Sequence, residues 1–204
     1  MNDGLDSDLC IRRAIRTDVE ALHELAQTVA ALPLLQRYGA RAERLAQDLA
    51  ALAGLQSDDA SPPHSEQLWL AEAIAGSAAD ASQRLVGFAR VLLGSDRASG
   101  HFGRGGYLRL IALRPGHSGR GVGARLLTAV EQAVLAQHSD LFLLTSDFNH
   151  GAQRFYERAG YIRVGALPDF VSAGITELLY WKRLSAPAPK PPHAGAVQGI
   201  EPCS

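Results

Sequence analysis

A glycine-rich turn near the middle of the chain joins an apolar segment to an amphipathic one. The apolar segment covers 107–113, and the turn carries glycines at Gly119, Gly121 and Gly123. After the turn, apolar residues recur at helical spacing, namely Val122, Leu126, Val130 and Val134. This pattern requires a fold in which a buried strand leads through a tight backbone turn into a helix packed on the sheet.

The other segments predict a mixed α/β sheet. Strands are predicted over 9–14, 68–73, 85–93, 107–113, 141–145, 161–164 and 176–184. A first helix is predicted from the capping box Thr17-Asp18-Val19-Glu20, and a second over the apolar repeat that ends at Leu52, before Gly54. Further helices are predicted over 121–137 and 152–159. The order is not a strict βαβ alternation, which excludes a purely parallel sheet.

The chain has the length of one domain with flanking segments. Of its 204 residues 47% are hydrophobic, enough for a full core. We predict a disordered N-terminus over 1–8, one domain over 9–184 and a disordered tail over 185–204, where proline and alanine dominate. The glycine-rich segment 94–106 is predicted to be a mobile loop.

Charge and cysteine usage exclude several classes of protein. The 20 basic and 21 acidic side chains give a net charge of −1, which disfavours a general nucleic-acid binder. Cys10 and Cys203 stand near opposite ends and form no CxxC pair, so neither a disulfide framework nor a metal site is expected. No apolar run reaches the roughly 18 residues of a membrane span. We therefore expect a soluble, cytoplasmic protein with no membrane partner.

The glycine loop has the physical features of a pyrophosphate site. Its glycines let the backbone approach an anion, and the first turn of the following helix offers free N–H groups. A P-loop is excluded because no Lys and Ser/Thr follow Gly121 or Gly123. A dinucleotide fingerprint fits Gly119-x-Gly121-x-x-Ala124, but the acidic residue it needs comes late, at Asp147. A turn without a ligand is the remaining alternative.

A second motif favours a different cofactor. The segment NHGAQRFYERAGY, at 149–161, follows the strand at 141–145 directly. The loop and this segment together resemble the motifs [RQ]-x-x-G-x-[GA] and N-x-x-A-x-x-F-Y-E-x-x-G-[FY] of the GNAT superfamily of N-acetyltransferases. The likeness extends over about 9–184. It implies the GNAT fold, in which helices flank a mostly antiparallel sheet of about seven strands that is splayed at the cofactor strand.

The resemblance also implies an acetyl-CoA-dependent N-acetyltransferase and assigns roles to matching residues. Backbone groups of Ile111, Ala112 and Leu113 would hold the pantetheine arm and the thioester carbonyl. Asn149 would hydrogen-bond the pantetheine, and Tyr156 would lie near the sulfur and protonate the departing thiolate. The pyrophosphate would be bound by the loop and the first helical turn, comprising Ser118, Gly119, Arg120, Gly121, Val122, Gly123 and Ala124.

Two positions depart from the family pattern. Ser118 stands where the family has Arg or Gln, and a modest loss of affinity is expected because backbone N–H groups make most phosphate contacts. Leu144 stands where many relatives place a Glu that accepts the proton of the amine. The candidates to replace that base are Glu72, Asp147 and His101, each of which is also explained as an ordinary surface side chain, and a chain of ordered water is the alternative.

The acceptor is the least determined part of the reaction. The resemblance places its cleft beside 34–38 and 166–174, a segment that includes Asp169 and Phe170, and the loop 94–106 is either a lid or a surface loop without function. Three hypotheses remain: an enzyme that acetylates a small primary amine by direct attack in a ternary complex, a protein or peptide N-acetyltransferase, and a non-catalytic acyl-CoA sensor. The sequence leaves a monomer and a homodimer open.

Overall fold

The computed structural model describes residues 9–55, 66–74, 81–93 and 105–185. Its strands are β1 (Leu9–Arg13), β2 (Glu66–Ala73), β3 (Leu85–Leu92), β4 (Gly106–Leu113), β5 (Asp140–Ser146), β6 (Ile162–Pro168) and β7 (Thr176–Arg183). Its helices are α1 (Val19–Ala30), α2 (Pro33–Arg37), α3 (Ala42–Leu55), α4 (Val122–Leu135) and α5 (His150–Arg158). The strands form one sheet in the order β1-β2-β3-β4-β5-β7-β6.

The predicted fold class is confirmed. All neighbouring strands of the seven-stranded sheet pair antiparallel except β4 and β5, which are parallel. The short helix α2 was not predicted. Pro33 occupies the start of α2, where its missing N–H costs no helical hydrogen bond. The predicted domain boundaries remain a prediction, because 1–8 and 186–204 lie outside the described residues.

Two apolar clusters lie on opposite faces of the sheet. The first packs α4 and α5 on one face and includes Val130, Leu141, Leu143, Tyr156 and Tyr180. The second packs α1 and α3 on the other face and includes Leu25, Leu49, Leu70, Phe88 and Ala112. Strands β3 and β4 contribute side chains to both clusters, one from each face of the sheet.

The predicted capping box at Thr17–Glu20 is wrong. Helix α1 begins at Val19, and Asp18 occupies the position before it. The Asp18 carboxylate accepts a hydrogen bond from the Ile15 amide at 2.8 Å, and two more from the Arg12 guanidinium at 2.8 Å each. The start of α1 is therefore held by an ion pair with β1 and not by the local capping pattern that the sequence suggests.

Substituting Asp18→Asn is expected to lower the free energy of unfolding by about 2 kcal/mol at neutral pH, because Arg12 loses a buried partner. Burial alone would raise the pKa of Asp18, but hydrogen bonds from Arg12 and Ile15 outweigh it and lower that pKa below its ordinary value. A carboxylate with a lowered folded pKa stabilises the fold above its unfolded pKa, and this contribution disappears as pH falls through the folded value. In urea unfolding at a series of pH values, the difference between variant and wild type should shrink only below about pH 4. A difference that stays constant into stronger acid would contradict the assignment.

None of the described helices is long and apolar enough to span a bilayer. Nor do any three His, Cys, Asp or Glu side chains of the described residues cluster as metal ligands would.

Candidate active site

The parallel strands β4 and β5 pair only at their beginnings. Gly106 lies opposite Leu141 and Leu108 opposite Leu143, and the pairing between these two fully described strands ends there. Beyond this point β4 remains paired with β3, with Ile111 opposite Ala89. The backbone groups of β4 that point toward β5 therefore have no strand partner near its C-terminal end. The two strands therefore enclose a wedge-shaped opening that has free backbone hydrogen-bonding groups. Such an opening is expected for the splayed sheet that the family resemblance implies.

The three β4 residues predicted to hold the pantetheine arm lie along this opening. Ile111 and Leu113 pack with the α4/α5 cluster, whereas Ala112 packs with the α1/α3 cluster. On the other edge of β4 the neighbouring strand is very close, since a Cβ at Gly87 would come 2.5 Å from Leu113 Cδ2 and 2.9 Å from the Ala112 carbonyl oxygen. Close packing on β3 fixes the strand, so that its opposite edge is presented to the opening.

The glycine loop follows β4 directly at the same end of the sheet. Gly119 and Gly121 have φ of 77° and 80°, the left-handed region that favours glycine. A Cβ at either position would meet no atom within 4 Å, so the space beside the backbone is open. Ser118 and Arg120 are exposed beside it.

Helix α4 begins immediately after this loop. Gly121 precedes its first residue and supplies no side-chain cap. The first-turn N–H groups of Val122, Gly123 and Ala124 have no acceptor within the helix, and the helix dipole adds partial positive charge there. Burial, then Arg120 and Arg114, lower the pKa of the nearby His117. The residues predicted to bind a pyrophosphate thus form an open, electropositive surface suited to an anion.

Tyr156 lies on α5, on the opposite side of the opening from the α1/α3 cluster. The residue is 6% exposed, and its ring packs against Tyr161 and Tyr180 with centroids 5.8 and 6.3 Å away. Burial, with a smaller contribution from the Tyr107 hydroxyl on β4, raises the pKa of Tyr156 well above its ordinary value. The phenol is therefore protonated throughout the neutral range, as a proton donor requires.

Asn149 has a structural role that the motif alone did not reveal. It stands before the first residue of α5, and its Oδ1 accepts a hydrogen bond from the Ala152 amide at 3.2 Å. The carbonyl oxygen is thus engaged in capping the helix. The side-chain NH2 group, a donor, remains to contact a ligand.

The three predicted bases differ in position. Glu72 lies on β2, two strands away from β4, where Arg12 and Arg84 pair with it at 2.7 and 2.6 Å. These three side chains line a surface depression on that part of the sheet, away from the opening. Asp147 is exposed just beyond β5, and His101 lies outside the described residues.

The structure brings a different carboxylate to the end of the opening. Glu177, the second residue of β7, lies opposite Ser146 on β5 and is only 2% exposed. The Tyr38 hydroxyl donates a hydrogen bond to its Oε1 at 2.6 Å. In the sequence, Glu177 was recognisable only as a charged residue on the strand face that otherwise carries Leu179 and Trp181. Which residues lie beside it depends on the strand register.

The predicted acceptor segments meet this carboxylate from two sides. The end of α2 covers it, because Tyr38 reaches Glu177 while the Arg37 guanidinium lies 3.6 Å from the centre of the Phe148 ring. The β6–β7 turn precedes it and exposes Phe170, which is 64% accessible. In that turn Asp169 has a φ of 55°, and its Oδ1 accepts a hydrogen bond from the Gly174 amide at 2.6 Å. Of the predicted loop or lid over 94–106, residues 94–104 lie outside the described residues, and Gly106 is the first residue of β4.

Comparisons with known proteins agree with this architecture. A model of the acetyltransferase (GNAT) family matches residues 42–161. Among curated proteins, no sequence matches this chain. The structure is similar to that of aminoglycoside 6'-acetyltransferase type Ii, with 19% identity, 88% of this chain and 99% of that chain covered, and a TM-score of 0.60.

Two further solved structures have the same fold. NAA60 from Arabidopsis thaliana, in complex with a bisubstrate analogue, has 16% identity over 86% of this chain and 98% of that chain, with a TM-score of 0.60. The ribosomal-protein-S18-alanine N-acetyltransferase from Escherichia coli has 14% identity over 89% of this chain and 97% of that chain, with a TM-score of 0.58. At these identities the likeness establishes the fold.

Proposed function

Because the chain belongs to the acetyltransferase (GNAT) family and is an acetyl-CoA-dependent acetyltransferase, we propose that it acetylates the primary amine of a small molecule. The amine attacks directly, in a ternary complex with both substrates. The observation that carries the proposal is the opening between β4 and β5, which lies at the end of the sheet that leads into the glycine loop and α4. Tyr156 supplies a protonated phenol beside it.

The residues at this end of the sheet fit acetyl-CoA. The open backbone at Gly119 and Gly121, with the first turn of α4, would hold the pyrophosphate, and the free edge of β4 at 111–113 would hold the pantetheine arm. The bound donor supplies an acyl group activated as a thioester. The protein orients that group, offers N–H groups to the oxygen that gains negative charge, and gives the departing sulfur a proton from Tyr156.

A small acceptor is favoured because α2 covers the far end of the opening. Tyr38 hydrogen-bonds to Glu177, and Arg37 stacks on Phe148, so α2 closes this corner. A peptide acceptor is the second candidate, because Phe170 and Val171 are 64% and 57% exposed on the turn before β7 and offer an apolar surface for a side chain.

The proposal is tested by incubating the purified protein with acetyl-CoA and matched panels of small amines and short peptides, and by following free thiol. Acceptor-dependent thiol release with a small amine, confirmed by mass of the acetylated product, is the expected result. Turnover only with peptides would favour the second candidate. Binding of acetyl-CoA without turnover of any acceptor would identify a sensor and overturn the proposal.

A further inference from the structure

Glu177 is a buried carboxylate without a basic partner among the described residues. It is 2% exposed on a strand face, and no Lys, Arg or His of the described residues pairs with it. Isolating an ionised carboxylate from water costs several kcal/mol unless another group compensates. The hydrogen bond from Tyr38 compensates in part, and the same contact, after burial, raises the pKa of Tyr38 to about 12. A cationic ligand bound beside Glu177 would supply the positive charge that this carboxylate lacks.

A second polar group beside Glu177, the Ser146 hydroxyl, lacks a hydrogen-bond partner among the described residues. Ser146 lies opposite Glu177 in the β5–β7 pairing and is 2% exposed. Its Oγ is buried and has no hydrogen-bond partner within the described part of the chain, although it is near enough to Tyr38 to influence that phenol. A carboxylate and a hydroxyl on adjacent strands thus face the same space, and the oxygens of both can accept hydrogen bonds from an ammonium group, which is a donor only.

The corner adjoins the opening where acetyl transfer is proposed. Burial raises the pKa of Tyr107 on β4, Arg109 opposes the change, and the charge of Glu177 adds to it. Tyr107 in turn raises the pKa of Tyr156 on α5. Ser146, the partner of Glu177, is the last residue of β5 and lies on the stretch that no longer pairs with β4, so Glu177 lies one strand away from the opening.

Glu177 and Tyr156 lie on opposite faces of the sheet. Leu178 and Tyr180 pack in the cluster that contains Tyr156, so by strand alternation Glu177 faces the other side. An attacking amine and a departing sulfur stand on different sides of the carbonyl carbon. A base on one face of the sheet can therefore take the proton of the amine, while an acid on the other face gives a proton to the sulfur.

Resting on the proposed function, we propose that Glu177 binds the acceptor as a primary ammonium ion and takes one proton from it. The resulting neutral amine forms the C–N bond as the C–S bond breaks. Of the three protons on the ammonium nitrogen, one moves to the Glu177 carboxylate and one stays on the product amide. The third replaces the proton that Tyr156 gives to the sulfur, so the products are the amide and free coenzyme A, with the first proton released from Glu177 to solvent.

The test compares Glu177→Gln with wild type on two primary amines, one aliphatic and therefore protonated at pH 7, the other an alkoxyamine that is neutral at that pH. For the aliphatic amine kcat/KM is expected to fall about 100-fold in the variant. For the alkoxyamine it should fall less than about threefold, because no proton has to be removed before attack. The affinity for acetyl-CoA and the melting temperature should not change.

Glu157→Gln is the matched control. Its carboxylate accepts a hydrogen bond from the Tyr180 hydroxyl at 3.0 Å, the same chemistry on the other face of the sheet, and its substitution should leave both rates unchanged. An unchanged Glu177→Gln enzyme, or one that loses the same factor on both amines, would overturn the role of Glu177 while leaving the proposed function intact. If wild type binds acetyl-CoA and acetylates neither amine, the proposed function fails and this inference fails with it.

Tyr38→Phe provides a second variant that keeps the carboxylate. It removes the hydrogen bond that holds the Glu177 carboxylate in place. The kcat/KM for the aliphatic amine should therefore fall, whereas the kcat/KM for the alkoxyamine should change less than about threefold. An equal fall on both amines would also contradict the assignment.

Discussion

Replacing Tyr156 by Phe is expected to lower kcat about 1000-fold, because the departing sulfur loses its proton donor. The ring remains, so the contacts with Tyr161 and Tyr180 are kept and the free energy of unfolding should change by less than about 1 kcal/mol. The affinity for acetyl-CoA, measured by calorimetry without acceptor, should stay within about twofold, because this hydroxyl acts on the sulfur only as it leaves. Stopped-flow measurement of thiol release then isolates the chemical step.

The pH dependence of kcat provides an independent check on Tyr156. Burial and the neighbouring Tyr107 raise its pKa, so the phenol keeps its proton above the pH at which an exposed tyrosine ionises. Wild-type kcat should therefore not decline on the alkaline side below about pH 10.

Tyr161→Phe is the matched control for Tyr156. It removes another buried phenol of the same cluster, whose hydroxyl donates a hydrogen bond to Glu131 at 3.0 Å. This variant should lose stability but keep kcat. If both variants lowered kcat alike, the effect on Tyr156 would come from packing and not from proton donation.

Placing an acidic side chain in the first turn of α4, by Ala124→Asp, is expected to weaken acetyl-CoA binding about 30-fold. Ala124 is exposed in the turn whose N–H groups would hold the pyrophosphate. A charge of −1 at about 6 Å from a doubly charged group costs about 2 kcal/mol at an effective dielectric constant between those of water and of the protein surface. The same substitution stabilises an isolated helix N-terminus by about 0.3–1 kcal/mol, so weaker binding cannot be attributed to unfolding.

Thr128→Asp provides the comparison for Ala124→Asp. Thr128 is also exposed on α4 and lies one turn further along the helix, about 6 Å from Ala124. Its substitution should weaken binding only about threefold. Raising the salt concentration should narrow the difference between the two variants, because the repulsion is screened. Equal losses in both variants would place the pyrophosphate away from the first turn.

Short-range patterns in the sequence determined most of the cofactor side of the site. The positive φ of Gly119 and Gly121 follows from a turn that only glycine adopts without strain, so their spacing before an amphipathic helix was sufficient to place them. Tyr156 was identified from one contiguous motif. The local pattern at Thr17–Glu20 was misleading, because Asp18 instead accepts hydrogen bonds from Arg12, six residues before it on β1.

The acceptor side was decided by the tertiary structure alone. Tyr38 and Glu177 are 139 residues apart in sequence, and their contact depends on how α2 folds over the end of the sheet. Glu177 faces Ser146 only in the observed register of β5 and β7, and a shift of one residue would turn its side chain to the other face. That register results from packing across the whole sheet, whereas glycine geometry and helix periodicity act over a few residues, and this is why the sequence specified the loop but not the carboxylate.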